Sequence, residues 1–157
     1  SHDRYRDFLE GKYHVCIVRG GHNWNEEKRL LWQDPLCAFS RDPLNMDLLP
    51  SYPYIHYITD PILQDLLDDW WFAHYKKPPF TIIETDAMDT CLKMVQEGLG
   101  FTLLSRSCGQ DTPQVHPTVL TTVEGQPLMR ETWMYYRKNY HLLASVRAFV
   151  EFMKEKY

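Results

Sequence analysis

Four polar residues stand where short apolar runs of the chain end, and their side chains suit the binding of an anion. Arg19 and Thr85 each close such a run, and Thr59 and Asp60 follow a third. Ligands of open α/β sheets bind at the carboxyl ends of strands. An arginine fork holds a carboxylate through two parallel hydrogen bonds, and a hydroxyl donates one more. These residues are therefore candidate ligands of a small carboxylate-bearing molecule.

Each of the four also has a simpler interpretation. Arg19 can be a solvated cation at a strand end. Thr59 or Asp60 can be the N-cap of a helix that begins at Pro61, since proline favours the first helical position. Thr85 or Asp86 can cap a later helix in the same way, and the carboxylate of Asp86 would repel an anion. Both interpretations stay open at this stage.

Ser1 and His2 precede the first helix of the chain. Free N–H groups and the helix dipole favour an anion at such a position, so both residues are candidate ligands. A plain cap or a cloning remnant explains Ser1 and His2 equally well.

No catalytic or metal-binding pattern accompanies these candidates. None of the seven histidines falls in an H-E-x-x-H motif or at a spacing of i, i+4. There is no G-x-S-x-G motif, and the four cysteines lack zinc-ligand spacing. The sequence therefore predicts a binding protein with no catalytic residues, no metal site, no cofactor and reduced thiols.

The candidates must be positioned by alternating strands and helices. Helices are predicted at 3–10, after Pro61, after Asp86 and at 142–156, with Gly98 ending the third. Strands are predicted at 13–18, 29–32, 35–39, 54–58, 80–84, 101–104, 118–123 and 131–137, with loops at 42–53 and 105–117. This alternation predicts an α/β fold with mainly parallel sheets.

Helical periodicity assigns apolar side chains to the core. In the second helix it places Trp70 on the buried face and turns Trp71 and Phe72 elsewhere. One of these aromatic residues is a candidate for a subunit interface, and packing in the core is the favoured alternative. In the last helix it predicts five inward side chains, namely Leu142, Val146, Phe149, Val150 and Met153.

Composition limits the possible functions. The chain has 157 residues, 44% of them hydrophobic, which is enough for one core or two small lobes. The net charge of −4, with no basic recognition helix, argues against nucleic-acid binding by this stretch itself. No apolar run approaches the length needed to cross a bilayer.

Three segments, in order along the chain, resemble the effector-binding domain of LysR-type transcriptional regulators. Residues 83–104 contain an apolar helix that ends in Val-x-x-Gly-x-Gly and is followed by an apolar strand. Residues 9–17 resemble the family's Leu–Gly–Asp–Ile element, although His14 stands in place of the aspartate. The stretch 133–138 and the helix after it form the third match. Together they cover nearly the whole chain.

The resemblance implies the fold of type 2 periplasmic-binding proteins, in which two α/β lobes are joined by crossover strands and enclose an effector in a cleft. On that basis lobe I takes 1–34 and 134–157, and lobe II takes 35–133. A further strand, helix and strand, and before them a winged helix-turn-helix, would be expected ahead of Ser1. Lobe I would then be partial.

The resemblance also implies a function. We expect a cytoplasmic sensor of a small anionic effector that acts in a homodimer or homotetramer and reaches DNA only through the helix-turn-helix domain. Citrate-responsive regulators are the subgroup suggested by Ser1, Arg19 and the aromatic-rich composition. The alternatives are a transport-type solute-binding protein of the same fold or, less favoured, a dehydratase-type enzyme.

Overall fold

The structure is a computed structural model that describes residues 2–157, except for the side chain of His2. Its helices are α1 (His2–Leu9), α2 (Pro61–His74), α3 (Met88–Gln96), α4 (Arg106–Gly109) and α5 (Ala144–Lys156). Its strands are β1 (Val15–Arg19), β2 (Glu27–Ser40), β3 (Pro53–Tyr57), β4 (Phe80–Thr85), β5 (Thr102–Ser105), β6 (His116–Val119) and β7 (Met129–Tyr136). Short 3-10 helices occupy Met46–Ser51 and Tyr140–Leu142.

The chain divides into two compact units. The first consists of the residues up to Gln33 together with Arg130–Tyr157, and the second is Asp34–Met129. The long strand β2 begins in the first unit and ends in the second. That the two units correspond to the two lobes of the family stays a prediction.

The first unit packs a helix on each face of its strands. β1 pairs antiparallel with β7, from Val15 opposite Tyr136 to Arg19 opposite Thr132. Successive side chains of a strand point to opposite faces. Tyr135 therefore lies in the cluster with α1, whereas its neighbours in β7 lie in the cluster with α5. Those clusters are Tyr5, Phe8, Cys16, Val18 and Tyr135 on one side, and Leu31, Met134, Tyr136, Val150 and Met153 on the other.

The second unit repeats this arrangement with α2 and α3. Leu103 belongs to the cluster with α2, and the next residue, Leu104, belongs to the cluster with α3. In β3, likewise, Tyr54 belongs to the cluster with α2 and Ile55 belongs to the cluster with α3. Strands β3 and β5 are thus covered on both faces, which explains their nearly continuous apolar runs, whereas Phe80 and Ile82 of β4 are exposed.

The prediction of mainly parallel sheets was wrong. β3 and β4 are parallel, and a parallel bridge joins Tyr54 to Phe101 just before β5. By contrast, β1–β7, β2–β5 and β2–β6 are antiparallel. A parallel pair needs a crossover connection, usually a helix, and in this sheet α2 and α3 supply such crossovers between β3, β4 and β5.

Several predicted boundaries are corrected. The two predicted strands at 29–32 and 35–39 form one strand, because Gln33 and Asp34 continue the extended backbone although they are polar. The predicted loop at 42–53 contains a 3-10 helix capped by the Asn45 side chain. The predicted loop at 105–117 contains α4 and the first residues of β6.

Three predictions of side-chain burial also fail, one of them at Phe149 in α5, which is 41% exposed. Trp71 is only 2% exposed and belongs to the core beside Trp70, whereas Phe72 is 60% exposed. Leu142 is 70% exposed, because α5 begins at Ala144 and Leu142 lies in the preceding 3-10 turn. Gly98 does end α3, with a positive φ of 77° that a glycine adopts without strain.

Candidate ligand-binding site

Three of the predicted site residues meet at one edge of the second unit. β3 and β4 run parallel and end together, with Tyr57 opposite Thr85. The amide of Ile58 donates to the carbonyl of Thr85 at 2.8 Å, so the pairing continues to the point where Thr59 and Asp60 follow. Both threonines are half-buried. Thr59, Asp60 and Thr85 thus lie where two strands end and two helices begin.

The N terminus of α2 is closed by its own cap. Asp60 has extended backbone angles, and its carboxylate accepts a hydrogen bond from the amide of Leu63 at 3.0 Å. Pro61, which has no N–H, occupies the start of the helix. The predicted cap and proline start are therefore confirmed, and Asp60 has the geometry of a structural cap. A contact between Asp60 and a ligand stays a prediction.

The N terminus of α3 has no such cap, and the prediction that Thr85 or Asp86 caps this helix was wrong. The cap position is Ala87, whose methyl group cannot accept a hydrogen bond. The Thr85 hydroxyl oxygen instead accepts from the amide of Ala87 at 3.1 Å, one residue too early to reach the first turn. Because that oxygen acts as acceptor, the hydroxyl proton of Thr85 can be donated elsewhere.

A fourth residue of this edge was missed at the sequence level. Ser105 ends β5, which runs parallel to β3 through the bridge between Tyr54 and Phe101. The side chain is 3% exposed, and its Oγ has no hydrogen-bond partner among the described residues. The sequence does contain a signal for Ser105, because a hydroxyl-bearing residue directly follows the apolar run at 101–104. We call Thr59, Asp60, Thr85 and Ser105 the carboxyl edge.

Arg19 lies in the first unit, as the last residue of β1. Its side chain is exposed and forms no hydrogen bond or ion pair with any residue in the described part of the chain. Gly20 follows with a positive φ of 88° and donates its amide to the carbonyl of Glu131. Arg19 therefore ends its strand as expected, and its contact with a ligand stays a prediction. Ser1 and the side chain of His2 fall outside the described residues.

The thiols within residues 2–157 are all free, and three of the four are buried. Burial raises the pKa of Cys16, Cys37 and Cys91, which keeps these thiols protonated at neutral pH. The thiol of Cys91 donates to the hydroxyl oxygen of Thr102 at 3.4 Å. No group of three side chains suited to a metal ion occurs among the described residues, and no helix there could span a bilayer.

In the second unit, hydroxyl groups lie at the ends of parallel strands, an arrangement that suits the binding of a small ligand. The family model of the LysR substrate binding domain matches residues 1–157. The chain belongs to this family. Its fold is therefore of the type 2 periplasmic-binding-protein kind.

Two curated relatives come from Bacillus subtilis (strain 168). The HTH-type transcriptional regulator YraN is 33% identical over 144 residues, which cover 92% of this chain and 50% of YraN. The HTH-type transcriptional regulator YkuM is 26% identical over 157 residues, covering 99% of this chain and 54% of YkuM. Both are described as uncharacterized. The chain spans about half the length of these relatives, which are transcriptional regulators and not enzymes.

Solved structures agree on the fold. The apo-form regulatory domain of HypT from Salmonella typhimurium has a TM-score of 0.72 at 13% identity, covering 98% of this chain and 77% of that domain. The Synechocystis PCC6803 CcmR regulatory domain in complex with 2-PG has a TM-score of 0.71 at 14% identity, covering 95% and 76%. At these identities the likeness concerns architecture alone.

Proposed function

We propose that the chain is the part of a LysR-type regulator that senses a small carboxylate-bearing effector, with citrate as one candidate. The observation that carries the proposal is the uncapped N terminus of α3 beside Thr85. The first turn of a helix presents free N–H groups and about half a positive charge. A carboxylate placed there would take the position that a capping side chain occupies in α2.

The other hydroxyls of the carboxyl edge support the same ligand class. A buried hydroxyl without a partner costs roughly 1–3 kcal/mol, and the Oγ of Ser105 is in that condition. A ligand oxygen would remove this cost by accepting its proton. Asp60 does not oppose the ligand strongly, since its carboxylate already accepts from the amide of Leu63. Arg19 is our further candidate for binding a carboxylate, on the strength of its exposed, unpaired guanidinium.

We further propose how binding becomes a signal. An effector shifts a conformational equilibrium only if it binds one state better than the other. In the proposed regulator that shift changes the geometry of a homodimer or homotetramer, and DNA is reached through a helix-turn-helix domain like the one named in the relatives. The proposed location is the cytoplasm, where the regulated DNA lies.

The test is a thermal-shift screen of the chain against citrate and other di- and tricarboxylates. A ligand at about 100 times its Kd adds roughly 2.7 kcal/mol to the free energy of unfolding, so a binder gives a clear rise in Tm. Thr85→Val keeps the shape and removes the hydroxyl, and we expect it to weaken binding by about tenfold. Thr118→Val, within β6, is the matched control that leaves the response unchanged.

Two further variants separate ligand contacts from stability. Ser105→Ala should weaken the carboxylate response without lowering the stability of the unliganded chain, because the hydroxyl it removes has no partner there. Arg19→Ala should abolish the response. The proposal fails if no carboxylate raises the Tm, or if Thr85→Val and Thr118→Val respond alike.

A further inference from the structure

A small cavity lies on the opposite side of β3 from α3, within the second unit. Its volume is about 160 Å³, and its walls include Tyr54, Gln64, Asp68, Trp71 and Leu103. A cavity of roughly this size accommodates a molecule such as benzene. None of the four carboxyl-edge residues lines it, so it is a separate place in the fold.

One residue that lines this cavity, Tyr54, is buried but has a hydroxyl without a protein partner among the described residues. Tyr54 is 5% exposed, and its ring packs between those of Trp71 and His56, with centroids 6.4 and 5.7 Å away. Its hydroxyl forms no hydrogen bond with any residue that the structure describes. Burial is the main cause that raises the pKa of Tyr54, and the nearby charges of Asp68 and Glu84 add to it. The hydroxyl is therefore neutral and can accept a hydrogen bond from a ligand.

Among the described residues, one carboxylate lines the cavity, that of the exposed residue Asp68. Asp68 forms no ion pair with a described residue, and one of its oxygens accepts from Nε2 of Gln64 at 2.8 Å. Since the Gln64 amide nitrogen is used in this way, its Oε1 faces Nε2 of His56 at 2.8 Å. The other ring nitrogen of His56 lies 3.1 Å from Glu84 Oε1.

The hydrogen-bond network therefore joins the Asp68 carboxylate, which lines the cavity, to the Glu84 carboxylate, which lies on the far side of His56. No lysine or arginine is among the described residues that line the cavity. The chain of hydrogen bonds from His56 through Gln64 fixes the orientation of the Asp68 carboxylate before any ligand arrives. Such preorganisation lowers the cost of binding.

Taken together, these groups fit a cation with an apolar body. A carboxylate and an aromatic ring are the partners of an ammonium group, and the neutral hydroxyl of Tyr54 can accept one of its N–H bonds. Trp71 and Leu103 offer apolar walls to the remainder of the molecule. We infer that this cavity is a second ligand site of the chain, which takes a small primary alkylammonium compound.

The experiment titrates the isotope-labelled chain with n-butylammonium, n-butanol and butyrate, three probes of similar size and different charge. The indole N–H of Trp71, which donates to the Lys77 carbonyl at 2.8 Å, is the NMR reporter. We expect saturable binding of n-butylammonium, binding of n-butanol at least about tenfold weaker, and no binding of butyrate. Equal binding of the alcohol, or no saturable binding of n-butylammonium, overturns the inference.

Variants identify the groups responsible. Asp68→Asn keeps the size of the side chain and should raise the Kd for n-butylammonium by about tenfold or more. Tyr54→Phe removes only the unpartnered hydroxyl and should raise the Kd by about threefold to tenfold. Asp69→Asn, one residue along α2 and exposed, is the matched control and should change nothing. An unchanged Kd in Asp68→Asn contradicts the site.

Two controls keep this result apart from the carboxylate proposal. Asp68→Asn should leave any citrate-induced rise in Tm unaltered, and Thr85→Val should leave n-butylammonium binding unaltered. Either site can therefore fail without the other. Ammonium chloride tests the apolar walls: if ammonium ion binds as tightly as n-butylammonium, the site is for an inorganic cation and the inference of an organic ligand is wrong.

Discussion

Helices α2 and α3 both follow strands of the same parallel pair, yet their N termini are built differently. In the first turn of α2 the amide of Leu63 donates to the carboxylate of Asp60, whereas the cap position of α3 is Ala87, whose side chain offers no acceptor. At a capped end, the protein itself supplies an acceptor for a free N–H group of the first turn. An uncapped end leaves polar groups that water or a ligand must satisfy. This difference, and not the presence of a helix N terminus as such, separates a structural end from a candidate binding end.

The two helices also differ in what anchors them. α2 buries two tryptophans, and the ring of Trp71 lies parallel to that of Phe101 with centroids 6.3 Å apart and an angle of 2°. α3 buries smaller side chains, namely Cys91, Leu92 and Val95. The capped helix is therefore also the one with the larger apolar anchor.

The largest expected effect follows from this anchor. Trp71→Ala should lower the free energy of unfolding by about 3–5 kcal/mol, because it removes a fully buried indole and leaves a cavity. Phe72→Ala, at a neighbouring position that is 60% exposed, should change stability by no more than about 0.5 kcal/mol. Chemical denaturation of both variants measures the difference. Similar losses in the two would show that α2 is not anchored through Trp71.

Trp71 also shows where sequence periodicity stops being informative. The pattern of α2 predicted a single buried stripe of five residues, namely Leu63, Leu66, Leu67, Trp70 and His74. Three of them are buried, whereas Leu66 is half-buried and His74 is exposed. Trp71 lies outside that stripe and is still buried. Its neighbours Phe101 and Tyr54 come from elsewhere in the unit. Its indole N–H donates to the carbonyl of Lys77, just after the helix. Burial of Trp71 by residues that are distant in the sequence cannot be predicted from the residues of one helix.

The residues of the candidate site also differ in whether local sequence was enough to predict them. Thr59, Asp60 and Thr85 were predictable, because each stands directly after an apolar run and strand ends can be located from local sequence. Ser105 has the same local signal, but its place at this edge depends on the pairing of β5 beside β3. The exact capping residue of α3 also escaped prediction, since the helix begins later than its polar residues suggest.

A smaller effect is expected at the capped end. Asp60→Ala should destabilise the chain by about 1 kcal/mol, the usual cost of removing a capping carboxylate. Asp60→Asn is the matched control, because asparagine caps nearly as well and should retain most of the stability. Denaturant midpoints at neutral pH measure both. A full loss in Asp60→Asn would mean that the negative charge matters more than the cap.

The smallest effect is expected at the uncapped end, with the opposite sign. Ala87 has φ −97° and ψ 108°, extended angles that suit a capping serine. Ala87→Ser should therefore stabilise the unliganded chain by about 0.5–1 kcal/mol. The new hydroxyl would occupy the same amides as the proposed carboxylate, so the citrate-induced rise in Tm should shrink. A variant that is stabilised yet keeps its full ligand response would place the effector elsewhere, and a variant with unchanged stability would show that the first turn of α3 already has its partners.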